Sequence, residues 1–125
     1  LPDLIKGKRL IVVDDSIVRG TTTPHVMSLL RRGGALSIHL RICAPPLMYP
    51  CHLGIDLGSR KELIAANMTV TEISDFLGAD SLGYLSQDGL LRAVGSGKKG
   101  YCMGCFNGNH PIPVQLEMDK LALES

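Results

Sequence analysis

The chain has no tryptophan, only three tyrosines and two phenylalanines, so its core has to be aliphatic. No apolar run reaches the roughly 18 residues of a membrane span, and no membrane partner is expected. The start lacks the long apolar stretch ending in small residues that marks a secretory signal. Neither sign of charge dominates: 13 Lys and Arg against 12 Asp and Glu give a formal net charge of +1. Without a basic excess there is no reason to expect a nucleic acid partner. A small anion held by a local site is still compatible with that balance. An initiating methionine is also missing, since the chain opens on Leu1-Pro2-Asp3. The expectation is a fragment or a processed product, in which a missing targeting signal says little about compartment.

What is present suits one compact domain. Hydrophobic residues make up 45% of 125, too many for a disordered segment. Gly7-Lys8-Arg9 leads into Leu10-Ile11-Val12-Val13, a β-branched run without alternation. Such a run predicts a strand covered on both faces. Asp14-Asp15 ends it. A hydroxyl-rich loop follows, and Thr23 is placed to cap a helix opening on Pro24. That helix carries Val26, Met27, Leu29 and Leu30, ends in Arg31-Arg32 and stops at Gly33-Gly34. Residues 36–43 read as the next strand, stopped by Pro45-Pro46. Strand, helix and strand within about 35 residues imply a right-handed crossover and a parallel sheet, hence an α/β fold. Ligands in such sheets sit beyond the carboxyl ends of the strands, where residues 14–22 lie.

The second half is more broken. Ser59 with Glu62 predicts a short capped helix over residues 60–66. Thr69 with Glu72 predicts another over residues 70–77, and Ser86 caps a third over residues 87–94. Residues 95–100 form a Gly/Ser/Lys linker, and residues 116–123 read as the start of a last helix.

The loop Asp14-Asp15-Ser16-Ile17-Val18-Arg19-Gly20-Thr21-Thr22 carries the chemistry. Backbone amides at a strand-to-helix turn form a nest for phosphate, helped by the following helix N-terminus. Gly20 relieves crowding where the backbone comes close. The hydroxyls of Ser16, Thr21 and Thr22 add donors, and Arg19 lies near the phosphate or on an exposed loop. This loop is neither a dinucleotide-binding glycine turn nor a Walker loop. Two adjacent carboxylates would repel a phosphate they touched. They suit a sugar diol beside it, or Mg²⁺ held directly or through water. Together these groups match a ribose 5-phosphate unit.

Cys43, Cys51, Cys102 and Cys105 are the four cysteines. Disulfides would suit a secreted chain, but nothing else here looks secreted, so buried thiols or a metal site read more strongly. Cys102-x-x-Cys105 alone leaves zinc, an iron–sulfur cluster and redox use open. Zinc would need a further ligand from His52, His110 or Cys43.

The segment Val12-Val13 through Thr22 resembles the phosphoribosyl pyrophosphate (PRPP) motif of type I phosphoribosyltransferases. Later segments resemble the amidophosphoribosyltransferase family in order: Pro45-Pro46, Tyr49-Pro50-Cys51, Gly54-Ile55-Asp56, Glu62-Leu63-Ile64-Ala65, Ser81 to Ser86 and Tyr101 to Phe106. The resemblance implies that residues 1–95 are the C-terminal part of a phosphoribosyltransferase domain, with residues 96–125 a helical, cysteine-bearing tail. It implies transfer of glutamine-derived ammonia to PRPP in purine synthesis, with this segment inactive alone. Asp14 and Asp15 would contact the ribose hydroxyls and help hold Mg²⁺, while residues 16–22 surround the 5-phosphate. Cys51, Cys102 and Cys105 would be three of four ligands to a [4Fe-4S] cluster, the fourth lying upstream. Expected partners are a glutaminase domain, the rest of the transferase domain and further copies in a homo-oligomer. The expected compartment is the cytoplasm, or an organelle. The competing reading is a non-catalytic phosphoribosyl-binding or cluster-dependent assembly module.

Overall fold

The computed structural model describes residues 2–55, 57–95 and 100–111. The expected last helix and Asp56 lie outside them. In chain order the elements are α1 (Pro2–Ile5), β1 (Arg9–Asp14), α2 (Thr23–Arg32), β2 (Ser37–Ile42), a 3₁₀ turn (Arg60–Glu62), α3 (Ile64–Asn67), α4 (Val70–Leu77), β3 (Ser81–Tyr84), α5 (Gln87–Ala93) and α6 (Gly104–Asn107). The three strands form one parallel sheet in the order β1-β2-β3. The α/β class and the parallel pairing of β1 with β2 across α2 are as the sequence implies.

Register assigns the two faces of the sheet. Leu10 lies opposite Ile38, Val12 opposite Leu40, and Leu40 opposite Leu82. This inward set joins Ile17, Ile42, Ile64, Ala65, Ile73 and Leu77 in the core, with Ile38 and Leu40 fully buried. Opposite parity puts Ile11 and Val13 beside His39 and Arg41 on the other face. There Ile11 is 73% and Val13 65% exposed. The expectation of a strand covered on both faces therefore fails for these residues. The helices with the most contacts to the sheet and to each other pack on the inward face, and β1 is an edge strand.

Local signals fare unevenly. Thr69 and Glu72 form the expected capping box, with Glu72 N donating to Thr69 Oγ1 at 3.2 Å and Thr69 N to Glu72 Oε1 at 3.0 Å. Gly78 ends that helix at φ +79°, a left-handed conformation that favours glycine. Ser86 caps α5 through the amide of Gly89 at 2.9 Å. The helix expected over residues 60–66 is instead a 3₁₀ turn, an extended Leu63, then α3. Leu63 is fully buried and Ile64 N donates to Val18 O at 3.0 Å, so tertiary contacts interrupt the helix. The start of α2 also differs. It begins at Thr23, and its N-cap Thr22 makes no side-chain cap hydrogen bond.

Candidate functional site

The loop between β1 and α2 departs from the carboxyl end of the sheet. Two short bonds fix its acidic entrance. Asp15 N donates to Asp14 Oδ1 at 2.8 Å, and Ser16 N donates to Asp15 Oδ1 at 2.6 Å. Both carboxylates are exposed, and Oδ2 of each takes no donor among the described residues. They are thus oriented by their own backbone and left able to accept from a ligand or hold a cation with water.

Beyond them the loop turns into α2. Residues 16–23 line a concavity of about 150 Å³. The amides of residues 17–22 donate to no acceptor among the described residues. Ile17 and Gly20 are buried, but Arg19, Thr21 and Thr22 are exposed, so water or a ligand can reach the loop that carries these amides. A run of them at a helix start is an arrangement for an anion. Gly20 sits at φ +71°, and a Cβ there would lie 2.9 Å from Ile64 Cδ1, so this turn admits little but glycine. At the start of α2 the Thr22 side chain makes no cap bond, Pro24 has no amide hydrogen, and His25 N donates to Thr22 O at 3.1 Å. Ser16 is half-buried, while the hydroxyls of Thr21 and Thr22 are at the surface.

Arg19 lies in this loop, but its side chain is committed. Nε donates to Glu62 Oε2 at 2.9 Å in an ion pair exposed on both sides. The Arg19 hydrogen bond, helped by the amide of Ser59, holds the Glu62 carboxyl below its usual range. Glu62 is the residue that sequence reading missed in this role. It lies 43 positions from Arg19, and no local spacing rule connects them. Cys43 is exposed beside the site, its amide donating to Asp14 O at 2.9 Å.

The cysteines meet elsewhere. Met48 N and Tyr49 N both donate to Cys105 O, at 3.0 and 3.1 Å, docking the α6 segment onto residues 48–49. The His52 and His110 rings meet edge to face at 4.8 Å, and His110 lies over Gly104, where no Cβ intervenes. Amides reach two of the sulfurs: Leu53 N to Cys51 Sγ and Gly104 N to Cys102 Sγ, each at 3.4 Å. The amides of Ile55, Leu53 and Gly54 hold the Cys51 thiol below its ordinary value. Burial pushes the Cys105 thiol up, and the neighbouring Cys51 and Cys102 push the same way. Cys51 and Cys102 are thus both within electrostatic reach of Cys105. All four cysteines are free thiols, and among the described residues no three His, Cys, Asp or Glu side chains converge on a single-ion site. No helix among them is long and apolar enough to cross a membrane.

No protein-family model matches the chain. The amidophosphoribosyltransferase of Synechocystis is 48% identical over 127 aligned positions, covering 100% of this chain and 26% of that protein. The chloroplastic amidophosphoribosyltransferase 1 of Arabidopsis thaliana is 43% identical, covering 94% of this chain and 21% of its own length. Among solved structures, the glutamine PRPP amidotransferase of B. subtilis, complexed with ADP and GMP, superposes with a TM-score of 0.82 at 42% identity. That match covers 89% of this chain and 25% of the solved one. The chain thus spans about a quarter of the length of the relatives it matches.

Proposed function

We propose, from the premise that this chain is homologous to a segment of the amidophosphoribosyltransferases, that it supplies the ribose 5-phosphate site of such an enzyme. The observation that carries the reading is the run of uncommitted amides over residues 17–22 around a concavity, directly after an exposed pair of carboxylates. Donors on one side and acceptors on the other fit a phosphate and its neighbouring diol. The amides, with Ser16, Thr21 and Thr22, hold the 5-phosphate. Asp14 and Asp15 accept from the ribose hydroxyls.

In the reaction the bond between the anomeric carbon and pyrophosphate breaks. A bond to ammonia nitrogen forms, and a proton leaves the nitrogen. The acceptor ammonia comes from glutamine, released by a domain outside this segment. Mg²⁺, with one or two carboxylates and the substrate phosphates as its usual ligands, neutralises the leaving pyrophosphate when bound. The free Oδ2 atoms of Asp14 and Asp15 fit that role. The protein residues act mainly by orientation and by stabilising positive charge that develops on the ribose.

For Cys51, Cys102 and Cys105 the reading is three of the four ligands of a structural [4Fe-4S] cluster. What supports the reading is the docking of Cys105 O on the amides of Met48 and Tyr49, close in sequence to Cys51, and the amide hydrogen bonds that the Cys51 and Cys102 sulfurs accept. In the intact protein the open β1 edge would pair with further strands, and the outward Ile11 and Val13 would be covered by another layer of the transferase domain. The segment alone is then inactive.

The test is pyrophosphate release from PRPP with glutamine or ammonia by the full-length protein carrying this segment. D14N and D15N should each lower turnover by about a hundredfold, the scale of losing one electrostatic contact in a transition state, with thermal unfolding unchanged. Wild-type turnover in both variants would sink the assignment and favour a non-catalytic module that kept the motif.

A further inference from the structure

The phosphate loop has a structural problem. Its amides over residues 17–22 bond to nothing among the described residues, so the loop has no internal ladder to keep its shape. Something outside it must do so. Three consecutive loop residues are met from one direction by the segment of residues 58–64. Ile64 N donates to Val18 O at 3.0 Å. Glu62 Oε2 accepts from Arg19 Nε at 2.9 Å. The Ile64 side chain fills the space beside Gly20.

Glu62 is itself held in place. Ser59 Oγ donates to its Oε1 at 3.5 Å. Gly58, at φ +77°, leaves the room this requires: a Cβ there would collide with Glu62 Oε2 and lie 2.8 Å from an Arg19 guanidinium nitrogen.

We propose that Glu62 is a positioning residue for substrate binding, clasping Arg19 so that the loop of residues 16–23 keeps the shape that holds the ligand's phosphate. The proposal rests on the reading of that loop as a phosphate site. Glu62 touches no substrate. Its effect belongs in affinity, because the clasp shapes the loop equally in the ground state and the transition state, and uniform binding changes KM while leaving kcat.

The experiment is steady-state kinetics of the full-length protein with PRPP varied, beside ribose 5-phosphate as a competitive inhibitor. E62Q should raise the KM for PRPP and the inhibition constant of ribose 5-phosphate together by about fivefold, the upper range of an exposed ion pair, with kcat little changed. R19A should do the same, and the R19A/E62A double variant should be no worse than the worse single one, since both break one contact. Unchanged KM in E62Q, a loss confined to thermal stability, or multiplicative effects in the double variant would overturn the clasp. If ribose 5-phosphate fails to compete in the wild-type protein, the phosphate-site reading falls, and the clasp with it. Competition that is intact and equal in wild type and E62Q removes the clasp alone.

Discussion

Residues 16–23 line a concavity built from one continuous stretch of chain, whereas Cys105 reaches residues 48–49, close in sequence to Cys51, only through the docking of α6. The loop is preorganised by short-range bonds at its entrance and by a brace behind it. The cysteine end depends on a long-range fold-back, with two carbonyl contacts, a ring pair and a glycine cleared for His110. The loop leaves the amides of residues 17–22 without acceptors among the described residues. At the cysteine end the sulfurs of Cys51 and Cys102 already accept from amides. Contiguous sites can bind as soon as their element folds. Discontinuous ones hold only while the tertiary structure does.

The largest effect expected from that contrast is a separation of the two sites by mutation. In the full-length protein purified without oxygen, C51S or C102S should abolish bound iron and the visible absorption of a cluster. Affinity for ribose 5-phosphate, measured by calorimetry, should stay unchanged, since distant sites without shared partners behave additively. Iron at wild-type levels in both variants would refute the ligand assignment. Loss of phosphate affinity together with iron would show that the two regions are one cooperative unit. The next effect is the converse. G20A places a side chain at φ +71° and 2.9 Å from Ile64 Cδ1. It should weaken ribose 5-phosphate binding by about tenfold, the cost of slightly more than the usual penalty for alanine at such a position, and leave iron content as it was. Unaltered affinity would mean that the turn at Gly20 does not shape the site.

The same contrast explains what could be read without a structure. The loop was legible because its chemistry is consecutive: strand, two carboxylates, hydroxyls, glycine and a helix start follow one another in the chain. The capping box at Thr69 and the simple cap at Ser86 were legible for the same reason. Two local signals misled. Thr23 resembles a cap, yet it is the first residue of the helix, and the N-cap Thr22 makes no side-chain cap bond. Ser59 with Glu62 also resembles a cap, but Glu62 turns to Arg19, and buried Leu63 breaks the helix. An ion pair between residues 43 apart has no signature in spacing. The unbroken apolar run of β1 signals burial on both sides, which three strands and the inward helices do not provide for Ile11 and Val13.

The smallest effect concerns acid. The Glu62 carboxyl lies below its ordinary value of 4.5, chiefly through the Arg19 hydrogen bond. A depressed carboxylate stabilises the fold above its unfolded value, and that contribution disappears as pH falls through the lower, folded value. Below about pH 4.5 the clasp should therefore weaken. Glu72 and Asp80 are lowered as well, by the α4 cap and by the Ile38 amide with Arg31, so acid sensitivity is shared. E62Q removes only its own part. Urea midpoints of the full-length protein between pH 5 and pH 3 should fall less steeply in E62Q than in wild type, and only slightly so, since the pair is exposed. Identical slopes in the two proteins would mean that the Arg19 pair is lost to solvent and that Ile64, through Val18 and Gly20, braces the loop without it.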